Sequence, residues 1–538
     1  MPEATMEWWK GTTIYQIYPR SFLDTTGNGV GDLNGITRKL DYVAELGVDA
    51  IWISPFVKSP MLDFGYDVSD YLAVDPLFGT LDDFHLLLEA AHEKGLRIIM
   101  DQVLSHTSNQ HPWFLESRED RANAKADWYV WADCKADGSP PNNWLSVFGG
   151  SSWQWEPRRD QYYLHNFLRE QPDLNFHNEE VQQALLDSCR FWLDMGVDGF
   201  RLDVCAFYLH DAELRDNPPN PAAPTGEHFR FNPYSRQLHT RDIAQPENVR
   251  FLERLRALTD EYDGRVLLGE LHEGDSVRIH KEYTAKGRLQ LAYGYWLLGA
   301  HEISARDVAD LSVTLGHEFE DGWPCWALDN HDFSRAVSRL GFDDESDAAM
   351  IRLVALTCLR GATCIYQGSE LGLPQADVPY ELIVDRYGRE FFPAFRGRDG
   401  SRTPMPWEKD APHAGFSEAE PWLPVTAPHI ACAVDGQDRL PGSTLNRFRT
   451  FLKWRREQAA IRSGAIRFGH VDENVLCFTR VGTEHAILCA FNFGREDTHL
   501  ELDDEDWAEL HGHGFGSAQE GRSIHLPAYG AWFGRKAA

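Results

Sequence analysis

Apolar positions follow two rhythms along the chain, and the first governs most of it. Short apolar runs alternate with longer segments whose apolar residues recur three and four apart. Thr13 to Tyr18, Ala50 to Ile53, Leu96 to Asp101, Gly199 to Val204, Val266 to Leu271, Trp326 to Leu328 and Thr363 to Tyr366 read as buried strands, with a weaker one near Leu289 to Tyr295. Helical spacing covers Asn34 to Leu46, Leu81 to His92, Glu179 to Met195, Glu247 to Thr259, Asp347 to Leu359 and Ser443 to Gln458. Eight β/α units predict an α/β fold, a (β/α)8 barrel. The rhythm breaks from Leu104 to about Asp173, a stretch rich in Trp, Tyr, Asn, Gly and Pro and too long for a loop. It predicts an inserted domain after the third strand. From about Ala465 the second rhythm takes over, short alternating strands such as Val475 to Phe478 and Ala486 to Ala490. The predicted organisation is a barrel in two parts, 1–104 and 174–460, an inserted domain at 105–173 and a C-terminal antiparallel β-domain at 461–538.

Charged groups stand at the ends of the apolar runs. Asp101 and His106 follow the third, Arg201 and Asp203 lie on the fourth, Glu270 ends the fifth, and His331 and Asp332 follow the seventh. In a barrel these C-terminal strand ends form one rim, where active sites sit. Residues two apart on a strand share a face, so Arg201 and Asp203 are expected to share a pocket, the guanidinium favouring the ionised carboxylate. Apolar Leu268 and Leu271 beside Glu270 favour a protonated acid. Three rim carboxylates, Asp203, Glu270 and Asp332, suit glycoside chemistry, which needs one acid and one nucleophile or base.

Composition narrows the partners. The 538 residues hold 52 Lys plus Arg against 83 Asp plus Glu, a formal charge of −31. Such a surface repels phosphate backbones and anionic lipid, so neither nucleic acid nor membrane is expected as a partner. Nine cysteines show no CxxC spacing, and no stretch has the length and apolarity of a secretory signal or a membrane span. A cytoplasmic protein is expected.

Four stretches, Asp101-Gln102-Val103-Leu104-Ser105-His106, Gly199-Phe200-Arg201-Leu202-Asp203, Gly269-Glu270 and Asn330-His331-Asp332, occur in the order of the signature regions of glycoside hydrolase family 13. By these motifs the chain resembles the α-amylase family, with Ser105 where many members carry Asn. Gln171-Pro172-Asp173-Leu174-Asn175 is similar to the α-glucosidase and oligo-1,6-glucosidase branch. The resemblance implies Asp203 as nucleophile, Glu270 as general acid/base and Asp332 as a stabiliser of the transition state. It implies His106 and His331 as hydrogen-bond partners of a bound glucose, with Arg201 keeping Asp203 charged. Asp63 and Tyr66 would close the blind end of the pocket, completed by Arg398, with Arg402 the lesser candidate. Phe148 and Phe167 would form its wall. Val204, next to the nucleophile, is the residue that accompanies α-1,6 activity in that branch. Cys205-Ala206 departs from the branch pattern, and an insertion from Asn217 to Gln245 is placed to reshape the acceptor side.

The loop Asp24 to Asp32 offers oxygen at every second residue among glycines, which suits a hard cation, and Gly35 in place of a twelfth-position Glu excludes an EF-hand. In related enzymes this loop carries Ca2+ or Mg2+, with ligands matching Asp24, Thr26, Asn28, the Val30 carbonyl and Asp32. No organic cofactor is expected. The expected activity is that of a retaining, exo-acting α-glucosidase on short neutral α-glucosides, with transfer of glucose to other acceptors. A sucrose- or maltose-isomerising relative and a non-catalytic barrel subunit are the alternatives.

Overall fold

The computed structural model describes residues 7–224, 231–271, 276–318, 322–342, 346–502 and 506–537. Residues 1–6, on which part of the signal expectation rests, and 225–230 of the insertion lie outside these. Eight parallel strands close into a barrel: β1 (Thr13–Ile17), β2 (Ala50–Ile53), β3 (Arg97–Gln102), β4 (Gly199–Leu202), β5 (Val266–Leu271), β6 (Leu291–Gly294), β7 (Trp323–Ala327) and β8 (Ala362–Tyr366). Each strand pairs with its neighbour in sequence, and β1 closes on β8 with Thr13 opposite Thr363.

Successive residues of each strand face opposite ways. One set packs outward on the helices: Tyr15, Ile51, Ile98, Phe200, Leu267 and Ile365 belong to the large core beneath them. The other set fills the barrel, where Ile14, Ala50, Ile99, Leu268, Leu291, Cys325 and Ala362 make an apolar layer. Two residues further on, at the C-terminal ends, the inward positions turn polar: Gln16, Asp101, Arg201 and Glu270 are all buried. The site therefore stands on a packed floor. At Gly199 strands four and five approach so closely that a Cβ would sit 2.3 Å from the Val266 carbonyl oxygen.

Strand β7 begins three residues before the expected run. The added residues include Pro324, a residue that cannot donate to a ladder, which is in register with Ala292. Strand β4 ends at Leu202, so Asp203 and Val204 lie beyond it. The helix Glu179–Met195 that precedes β4 is capped by the Asn178 side chain and stopped by Gly196 at φ 108°.

Between β3 and the helix that follows lie a short helix, Pro112–Ser117, and a three-stranded sheet of Trp131–Ala132, Gln161–Leu164 and Trp153–Glu156. Beyond the barrel, a five-stranded sheet (Ala465–Val471, Val475–Val481, His485–Asn492, Ala531–Ala537, Ala508–Glu509) and a three-stranded one form the C-terminal part. The insertion after β4 docks on the inserted sheet region. Asn143 Nδ2 donates to the Asn217 carbonyl at 2.9 Å, and Gln237 Nε2 to the Asn143 carbonyl at 2.7 Å. Among the described residues no helix is long and apolar enough to cross a membrane.

Candidate active site

Arg201 is the centre of the rim. Fully buried, it gives Nη1 to Asp101 Oδ1 at 2.9 Å and to Asp203 Oδ1 at 2.6 Å, and its Nη2 lies 2.5 Å from Glu270 Oε2. The expectation of an Arg201–Asp203 pair is thus too narrow: one guanidinium serves three carboxylates. Tyr293, opposite Glu270 in the β5–β6 register, accepts from Arg201 Nη2 at 2.8 Å. Burial pushes the Asp203 carboxyl well above the usual range, Arg201 pulls it back, and Glu270 and Asp101 push it up again. Burial likewise raises Asp101 to about 6 against the pull of Arg201. Three acids around one cation make a centre that holds a proton readily.

Asp332 has the opposite surroundings. Its Oδ1 accepts from Arg402 Nη2 at 2.8 Å and Arg398 Nη1 at 3.4 Å, and His331 Nε2 lies 3.2 Å from Oδ2. Burial would raise it, but the permanently charged Arg402 and Arg398 guanidiniums beside it hold Asp332 well below the carboxylate range. Burial lowers His331 to about 3, so its ring is neutral. Gln16 Nε2 contacts His331 Nδ1 at 2.8 Å, His331 Nε2 contacts the Tyr66 hydroxyl at 2.7 Å, and that hydroxyl donates to Asp101 Oδ2 at 3.2 Å. A continuous chain of contacts therefore joins β1, the β7 end and β3.

Asp63 closes one end. Arg398 Nη2 donates to Asp63 Oδ1 and to Asp385 Oδ1, each at 2.8 Å, and Gln171 Nε2 donates to Asp63 Oδ2 at 3.1 Å. Gln171 also contacts His106 Nε2 at 3.2 Å, while His106 Nδ1 meets Ser105 Oγ at 2.8 Å. Ser105 thus supplies a hydrogen-bond partner where Asn was the more common residue. Burial lowers His106 to about 4. Phe167 lies 5.2 Å from the His106 ring, and Phe148 lies 5.6 Å from Phe167 and under the Arg398 guanidinium at 5.0 Å. Both rings are half-buried. Phe148 also stacks on Tyr387 at 4.8 Å, and Asn232 of the insertion donates to the Val147 carbonyl and the Tyr387 hydroxyl at 2.9 and 3.0 Å.

Val204 departs from its expected strand geometry. It lies at φ 36°, ψ 49°, a left-handed turn opening the short helix Cys205–Phe207. Its N–H donates to Glu270 Oε2 at 3.1 Å.

Asp203, Glu270, Asp332, Asp63, Tyr66, His106, Phe148, Phe167, Arg201, Val204, His331 and Arg398 therefore form one contact network. Sequence reasoning gave no role to Tyr293, Tyr295, Trp52, Gln171 or Asp385, which join it; Arg398, the preferred partner of Asp63, makes that bond, and Arg402 instead bonds Asp332. Trp52 and Tyr293 carried a signal as inward positions beside charged ones; Asp385, in a loop, carried none.

The model with the description alpha amylase, catalytic domain, matches residues 16–464. The chain belongs to the α-amylase family. Its relatives in this family include a protein of Rhizobium meliloti named "Probable alpha-glucosidase", 50% identical over 99% of this chain and 98% of its own length. An oligo-1,6-glucosidase of Heyndrickxia coagulans is 36% identical over 94% of this chain and 96% of its own. Among solved structures of α-amylase-like fold, the α-glucosyl transfer enzyme XgtA superposes with a TM-score of 0.95 at 53% identity, covering 99% of this chain and 100% of that one. Trehalulose synthase MutB of Pseudomonas mesoacidophila gives 0.88 at 31%, covering 98% and 99%.

The Asp24–Asp32 loop lies apart from this network and wraps on itself. Asp24 Oδ1 accepts from the Thr26 and Gly27 N–H groups at 2.9 Å each, and Oδ2 from Gly29 N–H at 2.8 Å and Ser417 Oγ at 2.6 Å. Thr26 Oγ1 also donates to Asp24 Oδ1 at 3.1 Å. Asn28 Oδ1 accepts from Val30 N–H at 2.8 Å, and Asp32 caps the next helix through Gly35 N–H at 2.7 Å. Among the described residues no group of three or more His, Cys, Asp or Glu side chains gathers around a metal position. The donors of this loop are two carboxylates with amide, hydroxyl and carbonyl oxygens, a set whose chemistry fits a hard cation.

Proposed function

We propose that the protein is a retaining α-glucosidase that releases glucose from the non-reducing end of short α-glucosides. The observation that carries this reading is the single Arg201 guanidinium whose two terminal nitrogens touch Asp203 and Glu270. Carboxylates held by one guanidinium are close together. Double displacement needs such proximity, about 5–5.5 Å, whereas inversion leaves a wider gap for water. Asp203 attacks the anomeric carbon while Glu270 protonates the departing oxygen. Water then displaces Asp203 with Glu270 as base. Asp332, anchored by Arg402, binds hydroxyls of the glucosyl ring, and His106 and His331 complete that set as neutral hydrogen-bonding groups. The Asp63–Arg398 pair closes the pocket beyond the ring, which favours attack from a chain end.

The names of the relatives support the glucosidase activity, and those of XgtA and MutB support a second reading, in which the glucosyl group passes to a sugar instead of water. Product analysis on maltose, isomaltose, sucrose and trehalose separates the two. Asp203→Asn is expected to lose several orders of magnitude in kcat, and Glu270→Gln to be crippled on disaccharides but less so on activated aryl glucosides. Near-wild-type turnover in either pure variant overturns the assignment.

The proposal extends to a structural Ca2+ or Mg2+ in the Asp24–Asp32 loop, with Asp24, Thr26, Asn28, the Val30 carbonyl and Asp32 as its holders, and to a cytoplasmic location.

A further inference from the structure

The two oxygens of Glu270 have different neighbours. Oε2 faces the Val204 backbone N–H at 3.1 Å and Arg201 Nη2 at 2.5 Å. Both are obligatory donors without acceptor capacity, so Oε2 must present lone pairs to them. A carboxyl hydrogen on Oε2 would point at other hydrogens. Oε1 faces the Tyr295 hydroxyl at 2.8 Å. A phenol both accepts and donates.

We propose that the transferable proton of Glu270 resides on Oε1 and that Tyr295 is the positioning residue that holds it. Tyr295 accepts from the carboxyl group when Glu270 is protonated and donates to the carboxylate once the proton has left. The inference rests on the acid/base role of Glu270 proposed above and adds which oxygen acts and what steers it.

The surroundings are built for this asymmetry. Tyr295 directly follows β6, and the Phe333 ring packs edge-on against it at 4.9 Å. Burial, and then the nearby Glu270, raise the phenol well above its ordinary range, so it keeps its own hydrogen at any working pH. On the other side, the left-handed turn at Val204 aims its N–H at Oε2. That backbone conformation is rare for a β-branched residue, and such strain collects at functional sites. Other groups facing Glu270 are Asp203, Asp101, Cys205 and Tyr293, while Asp332 faces Tyr295.

The proton balance closes in both steps. As the glycosidic C–O bond breaks and the bond from Asp203 to the anomeric carbon forms, the Oε1 proton goes to the leaving oxygen and Tyr295 turns its hydrogen to Oε1. In the second step water attacks the anomeric carbon, its proton returns to Oε1, and Asp203 leaves.

Tyr295→Phe keeps the ring and removes the hydroxyl. Donation to a carboxylate is stronger than acceptance from a carboxyl group, so the variant favours protonated Glu270. The alkaline limb of the kcat/KM profile on maltose should move up by roughly half to one pH unit. kcat/KM should fall more on maltose than on an activated aryl α-glucoside, whose leaving group needs little protonation. Adding Tyr295→Phe to Glu270→Gln should cost nothing further on the aryl substrate. An alkaline limb that stays in place in a variant of unchanged melting temperature overturns the proposal, as do equal losses on both substrates or an additive loss in the double variant. Absence of hydrolysis by the unaltered enzyme on both substrates overturns instead the glucosidase reading beneath it.

Discussion

Val204 combines a β-branched side chain with a left-handed backbone at φ 36°, at a cost of order 1–3 kcal/mol. It is 5% exposed and follows Asp203 directly. Threonine at this position keeps the branch and therefore the strain, so a functional change in Val204→Thr reports side-chain chemistry and not backbone relief. The isomaltose-to-maltose kcat/KM ratio should fall by about 1 kcal/mol, roughly fivefold. An unchanged ratio would make Val204 a packing residue and leave linkage choice to the insertion. Asp203, Glu270 and Asp332 were legible because each lies at or just beyond the end of an apolar run. The sharing of Arg201 among Asp101, Asp203 and Glu270 was not, because register across β3, β4 and β5 is invisible in one strand's pattern.

At the scale of elements, the Asp24–Asp32 loop is tied down at both ends, by the Asp24 N–H bond to the Phe416 carbonyl and by the cap at Asp32. A cation there would stabilise the folded state alone, by mass action. Chelation is therefore expected to lower the melting temperature more than the initial rate, and elemental analysis should find about one Ca2+ or Mg2+ per chain. Carefully prepared protein without metal and with the same melting temperature would refute the site. Strands and helices were legible wherever periodicity was clean; β7 begins before its expected run, and the added residues include Pro324. The insertion's approach to the pocket wall was legible only in outline. Asn232 and Val147, in loops, meet Tyr387 of the helix Arg386–Phe391, and no periodicity in a loop announces its distant partner.

For the whole molecule, buried histidines and buried carboxyls act against each other in acid. Burial lowers His106, His165 and His429 to about 4 and His111, His210 and His331 to about 3. These groups stay neutral in the fold but take up protons in the unfolded chain below about pH 6.5. Their stabilisation is complete above that value and is lost as pH falls toward 4. Burial raises Asp67 to about 6 and Asp173 to about 8. Their contribution runs the other way, present at low pH and lost as pH rises through 6 and 8. Burial raises Asp101, Asp203, Asp63, Glu370 and Asp399 in the same way, and these oppose the histidines as pH falls. The melting temperature should therefore fall by only a few °C between about pH 7 and 4.5, as calorimetry can check, and a fall of more than about 10 °C would mean that the buried carboxyls are hydrated.

The pocket's closing pair, Asp63 and Arg398, joins positions 335 residues apart. Arg402, which anchors Asp332, lies further still along the chain. During synthesis, Asp203, Glu270 and Asp332 leave the ribosome before Arg398, whose guanidinium pairs with Asp63 and reaches Asp332. Strand β8 also follows all three carboxylates, so the barrel closes only after they have been made. A chain interrupted before Arg398 lacks the closing contact, however many of the rim carboxylates it holds.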